Sequence, residues 1–202
     1  MGKSPVNADG LRKALKEKAD FTEIEIDFFF DFLEDTNIKK KEHFLMAGNV
    51  CCHSAYVNIG CLRRYIIDDH AKEITIDFAL EGWWTGDLDS YFNRTPSNYY
   101  IQALEDSNLL LLSINNFLSL CEKLPKYKKF HDDKINRNHY AVLKRLSISK
   151  SEPPEVKYLL LMEEQPQLFQ RVPLHYIASY LGIEPESLSR LRKRLHGKSS
   201  KS

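Results

Sequence analysis

Residues 172–195, VPLHYIASYLGIEPESLSRLRKRL, decide how this chain is read. Apolar residues at Ile177, Leu181, Ile183, Leu188, Leu191 and Leu195 form two short helical stripes separated at Gly182-Ile183-Glu184. That is the pattern of a helix-turn-helix. Ala178 is small where two helices approach closely. Gly182 suits a positive φ, and Pro185 suits the first turn of a helix, where its missing N–H costs nothing. With Leu188, Leu191 and Leu195 turned inward, Glu186, Ser187, Ser189, Arg190, Arg192, Lys193 and Arg194 occupy the other faces of the second helix. These seven are the candidate DNA contacts.

Charge supports that reading. Residues 185–202 hold six Lys or Arg against the single acid Glu186, net +5, so residues 1–184 carry −4 of the chain's total of +1. A near-neutral chain with one basic end fits nucleic-acid binding by a single element. The plainer alternative is a helical hairpin with a solvated basic tail.

Composition bounds the rest. At 202 residues, with 43% hydrophobic residues, 8 Gly and 8 Pro, the chain is of globular type and long enough for one large or two small domains. No apolar run approaches the roughly eighteen residues of a membrane span, and the first residues lack the apolar core of a signal peptide. A cytoplasmic protein without membrane contact is expected. Cys51, Cys52, Cys61 and Cys121 form no C-x-x-C pair and read as small thiols in a reducing compartment.

The remaining segments follow in order. A helix is expected from Asn7 or Asp9 to Ala19. A second begins at Thr22, whose Glu25 three residues on completes a capping box. Between Ile38 and Ile114 short β-branched and aromatic segments alternate with turn residues, giving candidate strands at 38–46, 54–59, 61–67, 72–79, 83–87, 99–104 and 108–114. Such spacing predicts an antiparallel barrel or jelly roll, and the fold class is α+β. Asn115-Asn116 are expected to cap a helix ending at Lys123. Residues 125–149 read as one long helix of about 37 Å, whose surplus apolar face suits a two-fold dimer. Ser149–Pro154 read as a hinge, followed by a helix over 155–164 with Val156, Leu159, Leu160 and Met162 inward. The expected domains are 1–124, with an effector-binding strand domain and its N-terminal helices, 125–150 for dimerisation and hinge, and 151–202 for the helix-turn-helix.

A strand domain, a long helix, a hinge and a C-terminal helix-turn-helix is the order found in the CRP/FNR family of bacterial transcription regulators. The chain resembles that family, and especially its Bacteroidetes-type branch, through GCLRRYIIDDHAKEITIDFALEGWWTGDLDSYF (60–92), QALED (102–106) and RVPLHYIASYLGIEPESLSRLRKRL (171–195). The resemblance implies a homodimeric regulator that reads a palindromic DNA site, with RNA polymerase as a further partner. Matched to the family's recognition helix, Glu186 and Arg190 fall on base-reading positions, while Pro185 replaces a base-reading arginine. Arg190 suits guanine O6 and N7 and Glu186 suits cytosine N4, whereas Ser187, Arg192, Lys193 and Arg194 suit phosphates. Residues 196–202 are too short and polar for the β-hairpin wing of many members, so the wing is expected to be reduced or absent.

The resemblance also places an effector site. The family's ribose segment falls on Gly86-Asp87-Leu88 and its phosphate-binding pair on Pro96-Ser97. Trp84, Gly86, Asp87, Leu88, Arg94 and Ser97 are the candidate effector residues. Asp87 suits a hydroxyl, but Pro96 cannot neutralise a phosphate, and Arg94 or Arg63 are the substitutes the sequence offers. Two expectations stay open, a small-molecule effector other than cyclic AMP or no ligand, with the strand domain serving as scaffold or protein contact; Trp83, Trp84, Tyr99 and Tyr100 are pocket or core aromatics. No cofactor is expected: no cysteine precedes Cys51 as an FNR-type iron–sulfur site requires, and His43, His53 and His70 lack an evident second haem ligand. Two rival readings remain, a cupin-like metal enzyme and a DNA-independent adaptor. The first lacks the H-x-H pair of such metal sites, and the expectation is a protein that is not an enzyme.

Overall fold

Thr22 opens the second helix as its sequence predicts. Its hydroxyl accepts from the Glu25 N–H at 3.3 Å, and the Glu25 carboxylate accepts from the Thr22 N–H at 2.8 Å. The computed structural model describes residues 8–133 and 152–199. The chain divides into two compact units, Met1–Ile66 with Phe78–Asn136, and Ile67–Asp77 with Arg137–Ser202. The expected dimerisation helix beyond Asp133 and the start of the expected hinge lie outside the described residues.

Helices α1 (Asp9–Ala19) and α2 (Glu23–Phe30) precede eight strands, all in the first unit except Ile67 of β4 and Glu73–Asp77 of β5: β1 (Glu34–Ile38), β2 (His43–Leu45), β3 (His53–Ile59), β4 (Leu62–Ile67), β5 (Glu73–Ala79), β6 (Trp84–Thr85), β7 (Tyr100–Ala103) and β8 (Ser107–Ser113). They form two four-stranded sheets, β1-β8-β3-β6 and β2-β7-β4-β5. The result is an antiparallel sandwich of the jelly-roll kind, so the closed barrel offered as one expectation is corrected. The segment 38–46, expected as one strand, is two. Lys39–Glu42 turn between β1 and β2, held by the Glu42 carboxylate on the Lys39 N–H at 2.6 Å and by Asp106 on the Lys40 N–H at 2.9 Å.

Strand β8 is central, between β1 and β3, with Ala55 opposite Leu111 and Val57 opposite Leu109. All four residues Leu109–Leu112 are buried, which explains a continuous apolar run instead of an alternating one. The sheets share one apolar cluster with the helices, in which Val57, Leu62, Ile101 and Leu109 join Leu15, Ile26, Phe29 and Leu120. Helix α3 (Leu88–Asn93) lies between β6 and β7, where no helix was expected. Helix α4 (Ile114–Lys123) starts one turn earlier than expected, because the Ser113 hydroxyl accepts from the Asn116 N–H at 3.2 Å. Residues 125–133 are helical and are called α5.

In the second unit, α6 (Pro154–Glu164), α7 (Leu168–Arg171), α8 (Leu174–Leu181) and α9 (Pro185–Ser199) follow one another. Tyr158 and Leu161 are the buried residues of α6, and Leu159, expected inward, is 46% exposed. Gly182 ends α8 in the left-handed region at φ 70°, as its place in the turn predicts. Ile177, Ala178, Leu181, Leu188 and Leu191 are buried between the helices. Residues 196–199, where a wing would begin, continue α9. The hairpin tip 67–77 belongs to this unit, and Lys72 Nζ lies 2.9 Å from Glu184 at the start of α9.

Candidate effector cassette and candidate DNA-contact helix

The cassette is built by the turn from β6 into α3. Gly86 stands at φ 150°, a conformation open to glycine, and Asp87 caps α3. The Asp87 carboxylate is buried and accepts from the Asp89 N–H at 3.1 Å, the Ser90 N–H at 3.3 Å and the Ser97 hydroxyl at 2.7 Å. Ser97 in turn accepts from the Tyr99 N–H at 3.0 Å. Gly86, Asp87 and Ser97 are thus brought together at this turn. The other three candidates diverge. Trp84 packs edge-on against Tyr56 with centroids 5.5 Å apart, Leu88 is exposed, and exposed Arg94 caps the end of α3 with its guanidinium 3.6 Å from the Cys52 sulfur.

Arg64 reaches the cassette from β4. Strand alternation places it on the face of Leu62, a core residue, and its Nη1 donates to the Gly86 carbonyl at 3.0 Å. Its guanidinium also lies over the Tyr99 ring, 5.1 Å from the centroid. Arg63, one of the expected substitutes, is buried on the opposite face of β4 with its guanidinium 4.3 Å from the Tyr65 ring centre. Tyr65 stacks on Tyr100 at 5.1 Å and 15°. Trp84, Tyr99 and Tyr100 thus meet different partners, Tyr56, Arg64 and Tyr65. Alternation in LRRYII was the signal that could have singled out Arg64.

A cavity of 260 Å³ opens between β2 and residues 49–53, lined in part by His43, Met46, Asn49, Cys51, Cys52 and His53. None of the six expected effector residues lines it. Burial pushes the Cys51 thiol up from its ordinary pKa, which keeps it protonated, and it donates to the His53 carbonyl at 3.2 Å. Among the described residues no three His, Cys, Asp or Glu side chains converge on a metal position, and no helix is long and apolar enough to cross a membrane.

On α9, burial of Leu188 and Leu191 leaves Glu186, Ser189, Arg190, Lys193 and Arg194 exposed, with Ser187 and Arg192 half-buried at the flanks. The Ser187 hydroxyl accepts from Arg190 Nη2 at 3.1 Å, one turn along the helix. Arg194 is ion-paired to Glu155 of α6, and the Nε of Arg192 is buried. The seven candidates thus sort into an outward face centred on Glu186, Arg190 and Lys193, and flanking groups that also serve the fold.

Residues 35–124 match the family model of the cyclic nucleotide-binding domain. No curated protein sequence matches the chain. Among solved structures, the c-di-GMP-responsive global regulator CLP of Xanthomonas campestris is similar at a TM-score of 0.70 and 14% identity, over 88% of this chain and 93% of that one. The Thermus thermophilus catabolite activator protein is similar at 0.56 and 19%, over 89% and 85%. A CooA variant from Carboxydothermus hydrogenoformans is similar at 0.65 and 17%, over 96% and 86%. Residues 35–124 are thus similar in sequence to the cyclic nucleotide-binding domain, and most of the chain is similar in fold to these three solved structures.

Proposed function

We propose that this chain is a sequence-specific DNA-binding transcription regulator that works as a homodimer on a palindromic site, under the control of a small-molecule effector. The observation that carries the reading is the outward face of α9, where Glu186, Arg190 and Lys193 stand exposed while Leu188 and Leu191 anchor the helix. In this reading α8 and α9 are a helix-turn-helix, and α9 enters the major groove. Arg190, steadied by the Ser187 hydroxyl, reads guanine, and Glu186 reads cytosine N4. Lys193 and Ser189 meet phosphates, and Arg194 does so on leaving Glu155. Arg192 contributes its charge from the flank.

The dimer forms through residues 125–149, and its spacing sets two copies of α9 about 34 Å apart on one face of the duplex. Residues 1–124 receive the effector, 125–150 pair and hinge, and 151–202 contact DNA. RNA polymerase is the partner through which bound DNA becomes regulation. The effector acts by shifting the dimer between arrangements that do and do not match successive grooves.

Selection of bound duplexes from a random pool tests the reading. A palindrome with half-sites about one helical turn apart supports it, and no enrichment in any pool counts against it. On the selected site, Arg190→Ala costs roughly 1–3 kcal/mol of binding and relaxes one base position. Equal loss on random and selected DNA would remove Arg190 from base reading.

A further inference from the structure

We propose that the hairpin at residues 67–77 is an autoinhibitory clamp on the α8–α9 pair, which holds α9 back from DNA while the clamp is closed. The inference rests on the reading of α8 and α9 as a DNA-binding helix-turn-helix. The hairpin grips the pair on both sides of the Gly182 turn. On α8, the Ser179 hydroxyl accepts from the Thr75 N–H at 3.0 Å and donates to the Glu73 carbonyl at 3.1 Å. Beyond the turn, the Glu184 carboxylate accepts from Lys72 Nζ at 2.9 Å. The Glu184 carbonyl accepts from the N–H groups of Ser187 and Leu188 at 3.0 and 3.1 Å. The residue that Lys72 holds is therefore the one that opens α9.

The tip of the hairpin is fixed before it meets the helices. The Asp68 carboxylate accepts from the N–H groups of His70 and Lys72, both at 2.9 Å. The Asp68 N–H donates to the Lys72 carbonyl and the Ala71 N–H to the Asp68 carbonyl, both at 3.0 Å, with Ala71 in the left-handed region at φ 60°. Charge then gives the sign of the effect. Over residues 68–73 Asp68, Asp69 and Glu73 outnumber Lys72, which is paired to Glu184. A helix-turn-helix reads base edges with the N-terminal residues of its second helix, and the acidic tip stands at that end of α9, where it opposes phosphates. The grip is also releasable. The Lys72 and Glu184 side chains are 61% and 66% exposed, and an exposed ion pair, like a single hydrogen bond, contributes little net stability. DNA competes with the hairpin for the pair, and apparent affinity falls with the fraction of molecules that are closed.

The test is binding of the full-length protein and two variants, Lys72→Gln and Ser179→Ala, to the duplex selected by the wild type, followed by fluorescence anisotropy at one salt concentration. Each variant binds more tightly, by about threefold or more. For Lys72→Gln this direction opposes simple electrostatics, in which loss of a cation weakens DNA binding. Weaker or unchanged binding by either variant overturns the proposal. If Ser179→Ala fails to fold, the exposed Lys72→Gln decides alone. Hydrogen exchange without DNA reads the clamp separately. The Thr75 amide bonds to Ser179 and not to Lys72, so it exchanges faster in Lys72→Gln only where hairpin and helices part as one, and an unchanged rate overturns the clamp. Faster exchange with no enriched duplex removes only the regulator reading, whereas an enriched duplex bound no more tightly by the variants removes only this inference.

Discussion

The backbone N–H of Thr75 donates to the Ser179 hydroxyl at 3.0 Å, and that hydroxyl donates to the Glu73 carbonyl at 3.1 Å. Strand β5 is an edge of its sheet, and a serine of α8 thus satisfies two backbone groups the edge would leave open. Replacing Ser179 by alanine leaves both without that partner. The loss is about 1 kcal/mol, since each bond is worth little net where water can substitute. Hydrogen exchange at the Thr75 amide reads the effect directly: the amide exchanges faster in Ser179→Ala, while amides of β8 keep their protection. An unchanged Thr75 rate would show that the serine does not hold the edge.

Gly60 and Ser107 make a second constraint, this one steric. Gly60 stands at φ 114°, and a Cβ there would lie 2.1 Å from the Ser107 Oγ and 2.5 Å from its Cβ. Gly60→Ala therefore combines backbone strain with overlap and destabilises by at least about 2 kcal/mol. Adding Ser107→Gly removes two of the colliding atoms and recovers part of the loss. Urea unfolding of the two single variants and the double measures the coupling. Additive losses would mean that the strain is in the backbone alone.

Asp87 carries a structural load that the sequence does not announce. It caps α3 and anchors Ser97, so Asp87→Ala loses a helix cap and strands a buried hydroxyl, at a combined cost of about 2–3 kcal/mol. Asn keeps an oxygen for the helix N–H groups, and Asp87→Asn costs less than half as much. Equal losses for the two would show that charge, not capping, is the main contribution of Asp87.

What was legible in the sequence was local. The Thr22–Glu25 capping box and the Gly182 turn depend on residues within a few positions, and both are realised. The split between β1 and β2 was not legible, because the turn at Lys39–Glu42 is held partly by Asp106, distant in sequence. The inner face of α6 had two helical phases open to it. The one realised puts Tyr158 against Phe169, with centroids 5.1 Å apart, a contact no periodicity reveals. Neighbouring Arg63 and Arg64 are indistinguishable until the phase of the strand is known, and only the fold shows that Arg64 donates to the Gly86 carbonyl. On α9 the outward face was readable, whereas the tie of Arg194 to Glu155 joins two helices and required the fold.

The capping box also makes a pH-dependent prediction. The Thr22 N–H, and after it the ammonium of Lys126 at 3.2 Å, hold the Glu25 carboxyl below its ordinary value of 4.5. A carboxylate whose pKa is lower folded than unfolded binds fewer protons in the native state, so its contribution is complete above the ordinary value and fades as pH falls through the lowered one. Gln at position 25 still offers an oxygen to the Thr22 N–H but no charge to Lys126. Wild type therefore unfolds at a higher temperature than Glu25→Gln near neutral pH, and the gap closes as pH falls below 4.5. The direction of closure is the diagnostic feature. A gap that stayed constant into acid would mean that the side chain stabilises α2 by hydrogen bonding and packing alone, and a gap that widened would reverse the sign of the Lys126 contact.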